Sequence, residues 1–262
     1  MTWNILHGGG AARLPAIILE LVEQAADVVV ITEYRTTTGG QLRGIMADHG
    51  WEHQICSDPP PRCNGVLIAS RTPLTSPQSC SRLHIETELP EMGLALVGLH
   101  IPSKGGSTAR NSLWKQTLAI ARRRADEPCI IIGDFNTGRH FLDEEGATFR
   151  QTANLGHLVA LGYTDAWRTL HPDRKEASWV SHEGQGFRLD HAFVSASLSG
   201  RVADARYEQK ARKKGLSDHA SLSITLAERD GIGRDELPET AFSDDFVSKN
   251  AKTLFFSTDL GR

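Results

Sequence analysis

The chain has 262 residues, of which 39% are hydrophobic, and its 29 basic and 32 acidic residues give a formal net charge of −3. This length is enough for one large hydrophobic core or two small ones, and dense runs of Val and Ile exclude a disordered chain. Because no apolar run approaches the ~18 residues of a membrane span and no secretory leader begins the chain, we expect a cytoplasmic protein without a membrane span.

Helix-like and strand-like patterns alternate along most of the sequence. Apolar residues at helical spacing predict one helix that begins near Leu14, with Pro15 in its first turn, and another over Ala109–Ala125. Short apolar segments predict strands at Thr2–Leu6, Asp27–Thr32, Asn64–Ser70, Ala95–His100, Cys129–Gly133, Phe187–Val194 and Ser221–Leu226. Parallel strand–helix–strand units followed by strand-rich segments indicate a mixed α/β sandwich.

Charge is distributed unevenly along the chain. Residues 1–227 contain 24 acidic and 24 basic residues, whereas residues 228–262 contain eight acidic and five basic ones. The last segment also loses the apolar periodicity, so we predict one domain over 1–227 and a flexible acidic tail over 228–262. A neutral domain argues against a basic coat for nucleic acid. The cluster at Lys210–Lys214 is either a local basic rim or a solvated loop.

Polar side chains stand at the carboxyl ends of several predicted strands. They are Asn4, Glu33, His100, Asp134, Asn136, Asp190, Asp218 and His219. Side chains at such strand ends leave a rigid core and enter a shared crevice. A single carboxylate in this position is usually a helix cap or a solvated turn, but so many placements in one chain predict a polar site. The other histidines lack metal-ligand spacing, and we expect them to be structural or on the surface.

Six short motifs occur in order along residues 2–226. They are W-N-I-L at 3–6, I-T-E-Y-R at 31–35, H-I-P at 100–102, G-D-F-N at 133–136, R-L-D-H at 188–191 and S-D-H at 217–219. Together they resemble the endonuclease/exonuclease/phosphatase superfamily, which includes DNase I, exonuclease III, abasic-site endonucleases, sphingomyelinases and inositol-polyphosphate 5-phosphatases. The resemblance implies an α/β fold, a four-layer α/β/β/α sandwich with two mixed sheets flanked by helices and the site at one sheet edge.

The resemblance also implies a metal site. Glu33 matches the metal-binding glutamate of the family, Asn4 matches the asparagine beside it, and Asp218 completes the metal site. A carboxylate with few protein partners suits Mg²⁺. We therefore expect Mg²⁺ as the cofactor, with Mn²⁺ as an alternative.

The catalytic roles follow from the same resemblance. Asp134 looks like the aspartate that positions or deprotonates the attacking water, and Asn136 would hold the phosphate or Asp134. His219 resembles the histidine that contacts the scissile phosphate. Asp190 matches the buried carboxylate that fixes the tautomer of that histidine and raises its basicity.

Four further positions bear on the substrate. His100 stands where DNase I-like and sphingomyelinase-like members carry a histidine, and it is a candidate proton donor or phosphate ligand. Arg35 is placed as in DNase I-like nucleases, where the arginine contacts the nucleic-acid strand; the alternative is a surface arginine. Trp179, in a stretch similar to that of exonuclease III-like proteins, either stacks on a sugar or base or belongs to the core. Gly8–Gly10 is either a phosphate cradle or a flexible turn.

These expectations define a Mg²⁺-dependent phosphodiester hydrolase, in the first instance a nuclease that cleaves DNA or RNA through a water positioned by Asp134. One alternative is a phosphatase or phosphodiesterase that acts on a phospholipid headgroup or an inositol phosphate. A second alternative is a non-catalytic binding domain on the same fold. Nucleic acid is the expected partner, no protein partner is implied, and we expect a monomer.

Overall fold

The structure, a computed structural model, describes residues 1–103 and 107–228. The strands are β1 (Thr2–Asn4), β2 (Val28–Tyr34), β3 (His53–Cys56), β4 (Gly65–Ser70), β5 (Ser79–Ser81), β6 (His84–Leu89), β7 (Leu94–His100), β8 (Cys129–Asp134), β9 (Thr164–Asp165), β10 (Trp179–Val180), β11 (Gly186–Phe187), β12 (Asp190–Val194), β13 (Val202–Glu208) and β14 (Ser221–Leu226). The helices are α1 (Leu14–Gln24), α2 (Thr36–Asp48), α3 (Ser107–Arg123), α4 (Ala153–Ala160), α5 (Ala166–Leu170), α6 (Ala196–Ser199) and α7 (Lys210–Lys213).

Residues Met1–Ala227 form one compact unit. Apart from Glu228, the tail predicted over 228–262 lies outside the described residues. Within the described ranges, no helix combines the length and the apolar character needed to cross a bilayer.

The described strands form two six-stranded sheets and a separate β10–β11 hairpin. The first sheet has the order β13-β14-β1-β2-β4-β3, and the second has the order β5-β6-β7-β8-β12-β9. Both sheets are mixed, because β1 is parallel to β2 and β7 is parallel to β8, while β2–β4 and β8–β12 are antiparallel. Each parallel pair is joined by a helix, α1 or α3, as the sequence pattern predicts.

The apolar runs of the central strands are explained by burial on both of their faces. Val29 and Ile31 of β2 pack in one core with α1 and α2, whereas Val30 packs between the sheets. In β8, Ile131 packs with α3 and α4, and its neighbours Ile130 and Ile132 face the first sheet. Because successive strand residues point to opposite faces, a strand covered on both sides is apolar throughout. The layers are therefore helix, sheet, sheet and helix, which confirms the four-layer sandwich.

The strand predicted over Phe187–Val194 is interrupted, and this is a correction to the sequence prediction. β11 pairs with β10, whereas β12 pairs with β8 of the second sheet. Between them the N–H of Arg188 donates to the carbonyl oxygen of Asp143 instead of extending a strand. The interruption allows Asp190 to begin β12 directly opposite Asp134.

A buried ion-pair network supports the start of β12. The guanidinium of Arg188 is fully buried, and it binds Asp143 at 2.6 Å and both carboxylate oxygens of Asp165 at 2.6 and 3.2 Å. Arg168 adds a second cation, 2.6 Å from Asp143. Burial opposes the ionisation of Asp165, but Arg188 holds the pKa of this carboxyl well below its ordinary value. The network thereby anchors the chain that leads into Asp190.

We expect Asp165→Asn to lower the free energy of unfolding by about 3–5 kcal/mol, because it leaves a buried cation with one carboxylate too few. Urea titration at pH 7 measures this change. The matched control is Asp204→Asn, which removes one partner of the exposed pair Asp204–Arg206 and should change stability by less than about 1 kcal/mol. An Asp165→Asn variant as stable as the control would contradict the role of the network.

The same variant also has an expected pH signature. Since the pKa of Asp165 is lower in the folded chain than in the unfolded one, its stabilising contribution is complete above about pH 4 and falls as the pH decreases below that value. Between about pH 4 and pH 2 the wild-type chain should therefore lose stability more steeply than Asp165→Asn.

Candidate active site

Three polar residues lie side by side across the second sheet. His100 is opposite Asp134 in the β7–β8 pair, and Asp134 is opposite Asp190 in the β8–β12 pair. The Nε2 atom of His100 lies 3.7 Å from Oδ2 of Asp134. A Cβ on Gly133 would lie 1.9 Å from the carbonyl oxygen of Leu99, so only glycine permits this approach of β8 to β7. The glycine of G-D-F-N is therefore required to build the row.

The first sheet contributes Asn4 and Glu33 to the same place. Asn4 ends β1, whereas Glu33 lies inside β2, which continues to Tyr34 beyond the predicted end of the strand. Glu33 has a φ of 56° at a register shift between Thr32 and Tyr34, and this bulge re-aims its side chain. The Nδ2 atom of Asn4 donates to Oδ2 of Asp134 at 3.0 Å and to Oε1 of Glu33 at 3.4 Å. Asn4 thus joins the two sheets across the site.

The orientation of the Asn4 amide is set by its own backbone. Its Oδ1 accepts the N–H of Leu6 at 3.0 Å, so the NH₂ group faces the carboxylates of Glu33 and Asp134. In this arrangement Asn4 acts as a hydrogen-bond donor that positions both acids. Direct binding of a metal by Asn4 stays a prediction.

His219 forms a buried pair with Asp190. Its Nδ1 lies 2.8 Å from Oδ2 of Asp190, and its Nε2 lies 3.5 Å from Nδ2 of Asn4. The backbone around it is held by Trp3, whose indole N–H donates to the His219 carbonyl at 3.0 Å, and by Ser217, whose hydroxyl accepts the His219 N–H at 3.1 Å. Burial opposes protonation of His219, but the charge of Asp190 raises the pKa of the imidazole to about 10. The carboxylate of Asp190 thus favours the cationic form of His219.

The pKa values of the other ionisable groups of the site are shifted in different directions. Burial and the charge of Asp190 raise the pKa of Asp134 to about 7, so this carboxyl exchanges its proton near neutral pH. Burial lowers the pKa of His100 to about 4, which leaves a neutral imidazole beside Asp134. Burial also opposes the charge of Glu33, but neighbouring histidines and the N–H of His7 hold its pKa below the ordinary value.

Asp218 and Trp179 form a linked pair at the edge of the site. The indole N–H of Trp179 donates to Oδ2 of Asp218 at 3.0 Å, and Trp179 forms an isolated β-bridge with His219. The Trp179 ring is half-buried and packs against Phe187, with 5.7 Å between the ring centroids. Trp179 therefore orients Asp218. This contact is compatible with both predictions for Trp179, stacking on a sugar or base and a place in the core.

Asn136 is placed directly beside Asp134. Its backbone N–H donates to Oδ1 of Asp134 at 2.9 Å, and its side-chain Nδ2 donates to the carbonyl oxygen of Ile101 at 2.8 Å. Together with the Asn4 bond, this contact gives each carboxylate oxygen of Asp134 one donor. The geometry fixes the direction of the Asp134 carboxylate while leaving further lone pairs on both oxygens.

Sequence reasoning missed one residue of this site, His7. Its Nδ1 lies 2.7 Å from Oε2 of Glu33 and 2.8 Å from Nη2 of Arg35. Arg35 is held in turn by Asn64, whose Oδ1 accepts its Nε–H at 2.7 Å. The available signal was the position of His7, which directly follows the first motif and lies three residues after Asn4.

Part of the basic cluster at Lys210–Lys214 forms ion pairs with helix α1. Lys210 and Lys214 form ion pairs with Glu23 and Glu20 of α1, the second at 3.6 Å. Arg212 donates through Nε to the side chain of Gln209 at 2.9 Å. Two of the four charges expected at the rim are thus paired with α1.

The donor set of the site fits a divalent cation. One atom each of Asp134, Asp190 and His219 lies within 4.8 Å of the other two, but the imidazole of His219 is paired with Asp190, so the carboxylate oxygens are the candidate ligands. Within the described residues, Oδ1 of Asp190 and Oδ1 of Asp218 are buried without a hydrogen-bond partner. Buried carboxylate oxygens without a donor are the groups that a hard cation satisfies.

Comparisons with known proteins agree with this geometry. Among curated proteins, the chain is 25% identical over 150 residues to Recombination repair protein 1 of Drosophila melanogaster, with 49% of this chain and 22% of that protein covered. It is 26% identical over 119 residues to DNA repair nuclease APEX1 of Danio rerio, with 39% of this chain and 37% of that protein covered. The chain therefore matches much less than two thirds of the length of either relative.

Solved structures share the fold at low sequence identity. The 3′ phosphatase NExo from Neisseria, bound to a product DNA hairpin, has a TM-score of 0.74 and 19% identity, with 87% of this chain and 98% of that chain covered. An AP endonuclease from Archaeoglobus fulgidus has a TM-score of 0.73 and 18% identity, with 86% and 97% covered. The model of the Endonuclease/Exonuclease/phosphatase family matches residues 1–219. Since that match spans most of the sequence and includes every motif of the site, the chain belongs to the endonuclease/exonuclease/phosphatase family.

Proposed function

We propose that the chain is a divalent-metal-dependent phosphodiesterase that cleaves nucleic acid, with DNA as its first substrate. The observation that carries the proposal is the convergence of Glu33, Asp134, Asp190 and His219, from four strands or strand ends, on one polar edge of the sandwich. Hydrolysis of a phosphodiester needs a group that prepares water and positive charge beside the phosphorus.

Asp134 is the group that prepares the attacking water. Its pKa of about 7 is close to neutral pH, and a general base is most effective when its pKa is close to the pH at which it works. The donors Asn4 and Asn136 hold the carboxylate at 3.0 and 2.9 Å, so its direction does not change when it accepts the proton from water.

His219 supplies positive charge and a hydrogen-bond donor to the phosphate. Asp190 takes its Nδ1 at 2.8 Å, which leaves the Nε2–H to donate to a phosphoryl oxygen or to the leaving oxygen. His100, neutral beside Asp134, supplies a second imidazole that contacts a phosphate oxygen without adding charge.

Glu33 and Asp218 would hold the cation, and Asn4 would position Glu33. When bound, Mg²⁺ or Mn²⁺ neutralises the charge that develops on the phosphoryl oxygens during attack. The carboxylate oxygens of this set suit both Mg²⁺ and Mn²⁺.

Several residues would bind the nucleic-acid strand. The guanidinium of Arg35, held by Asn64, is suited to a phosphate oxygen, and Trp179 offers a half-exposed ring beside Asp218. DNA is favoured because two curated relatives are named as a recombination repair protein and a DNA repair nuclease, and because the Neisseria structure contains DNA. A monomeric state and a cytoplasmic location stay predictions.

A substrate panel tests this function. Plasmid, 3′-recessed duplex, 3′-phosphorylated duplex, abasic duplex, RNA, inositol phosphates and phospholipid are each incubated with Mg²⁺ or Mn²⁺. We expect cleavage of at least one DNA substrate, abolished by EDTA and restored by excess cation. Hydrolysis of inositol phosphates or phospholipid alone would replace the nucleic-acid assignment, and no hydrolysis of any substrate would favour the non-catalytic alternative.

A further inference from the structure

His7 is held against Glu33 by an unusual backbone. Leu6, His7 and Gly8 have φ values of 54°, 55° and 77°, so two residues with side chains adopt the left-handed region. Each such residue costs roughly 1–2 kcal/mol relative to the right-handed region. The side chain of His7 is 57% exposed, yet its Nδ1 and its backbone N–H both lie 2.7 Å from Oε2 of Glu33.

Packing of the following glycine stabilises this turn. A Cβ on Gly8 would lie 2.7 Å from Oγ1 of Thr38 and 2.9 Å from Cβ of Arg35, and the Thr38 hydroxyl donates to the Gly8 carbonyl at 2.7 Å. Gly8 and Gly9 are buried, so this part of Gly8–Gly10 is a packed turn. The turn places His7 beside Glu33, and the N–H of Gly9 is used within it, where it donates to the carbonyl oxygen of Leu6 at 3.2 Å.

The hydrogen bonds of Nδ1 conflict with each other. This nitrogen faces a carboxylate oxygen of Glu33 at 2.7 Å and a guanidinium nitrogen of Arg35 at 2.8 Å. A ring nitrogen carries either a proton or a lone pair. With a proton it repels the N–H of Arg35, and with a lone pair it repels the oxygen of Glu33. Neither state satisfies both neighbours.

We propose that His7 is a nitrogen ligand to the divalent cation held by Glu33, and that it gives the site a preference for Mn²⁺ over Mg²⁺. This inference rests on the proposed function, because it concerns the same cation. A cation between Nδ1 and Oε2 satisfies the lone pairs of both atoms. The N–H of Arg35 is then released to a phosphate oxygen of the substrate.

The separation of the two atoms fits shared coordination. Metal–nitrogen and metal–oxygen bonds of about 2.1 Å place adjacent ligands of an octahedral ion about 3 Å apart. The observed 2.7 Å between Nδ1 and Oε2 needs only a few tenths of an ångström of widening. Imidazole nitrogen binds Mn²⁺ and later transition metals better than it binds Mg²⁺, which takes oxygen ligands. An imidazole ligand from His7 therefore favours Mn²⁺ over Mg²⁺ at this site.

Pulsed electron paramagnetic resonance of the Mn²⁺-loaded chain, without substrate, tests the ligand directly. We expect a ¹⁴N coupling from a bound imidazole in the wild type, its loss in His7→Gln and His7→Asn, and its retention in His100→Gln, His219→Gln and His182→Gln. His182 is an exposed histidine in the β10–β11 hairpin and serves as the matched control. His7→Asn guards against misfolding, because Asn tolerates the left-handed backbone.

Cation affinity gives the second measurement. Titration of free Mn²⁺, with Mg²⁺ as a competitor, should show Mn²⁺ binding weakened at least about tenfold in both His7 variants, with a smaller change for Mg²⁺. The inference is overturned if wild type shows no nitrogen coupling, if the coupling survives in the His7 variants, or if both cations weaken equally. Because no substrate is present, a chain that binds Mn²⁺ through His7 yet cleaves nothing would contradict the proposed function alone.

Discussion

Asp134→Asn should reduce cleavage of the best DNA substrate by about 10²–10⁴-fold while leaving the fold intact. Asn has the size of Asp and keeps an oxygen for the N–H of Asn136, but it cannot accept a proton from water. The cleavage rates of the wild type and of Asp134→Asn are compared at saturating Mg²⁺. Asp126→Asn is the matched control, because it makes the same chemical change at an exposed position.

The pKa of Asp134 also predicts how the stability of Asp134→Asn differs from that of the wild type. Because the pKa of Asp134 is about 7 in the folded chain and lower in the unfolded chain, its ionisation opposes folding above the unfolded value. Asp134→Asn removes that opposition, so the Tm of the variant relative to the wild type should increase as the pH is raised from about 5 to about 8. A variant that keeps more than about a tenth of the activity would contradict the role of Asp134 as the base.

Asp190→Asn should also reduce the rate by about 10²–10⁴-fold, although Asp190 touches no substrate. Its carboxylate counteracts burial and raises the pKa of His219 to about 10. Without that charge, burial favours the neutral imidazole, so the phosphate loses a cation. The Asn amide can present either its oxygen or its NH₂ group to Nδ1, so it no longer fixes the tautomer.

A double-mutant cycle separates this explanation from general damage to the fold. His219→Gln removes the imidazole, so adding Asp190→Asn to it should cause little further loss, and the two effects should be strongly non-additive. Additive effects on kcat would show that Asp190 acts independently of His219. An unchanged kcat in Asp190→Asn would contradict the pair altogether.

The sequence could predict that His100, Asp134 and Asp190 share one edge of the sheet, because each of them stands where a strand meets its loop. His100, Asp134 and Asp190 are each adjacent to short apolar runs, and strand register alone brings them together. The apolar runs predict only a mixed α/β sandwich, and the family resemblance implies the four layers. In the structure, the runs are explained by strands that are covered on both faces.

Helix α2 could not be predicted, because its first residues, T-T-T-G-G, are poor helix formers. The helix forms because Leu42 and Met46 are fully buried against the first sheet. Gly39 is required there, since a Cβ would lie 2.2 Å from the hydroxyl of Tyr34. Tertiary packing thus overrides local propensity.

The position of His7 beside Glu33 and the direction of the Glu33 side chain depend on local backbone conformations. These conformations cannot be predicted from the pattern of residue types. A left-handed turn brings His7 to Glu33, and a bulge within β2 turns Glu33 toward Asn4. Both conformations are held by packing between distant segments. The interruption before Asp190 has a similar origin, because it depends on Arg188 and on partners distant in sequence.

The most direct test of the account is a crystal structure of Asp134→Asn with Mn²⁺ and a short DNA duplex. The account predicts an anomalous Mn²⁺ peak about 2.2 Å from the carboxylate of Glu33. It also predicts a backbone phosphate oxygen within about 3 Å of Nε2 of His219. A Mn²⁺ peak away from Glu33, or DNA bound on another face of the sandwich, would contradict it.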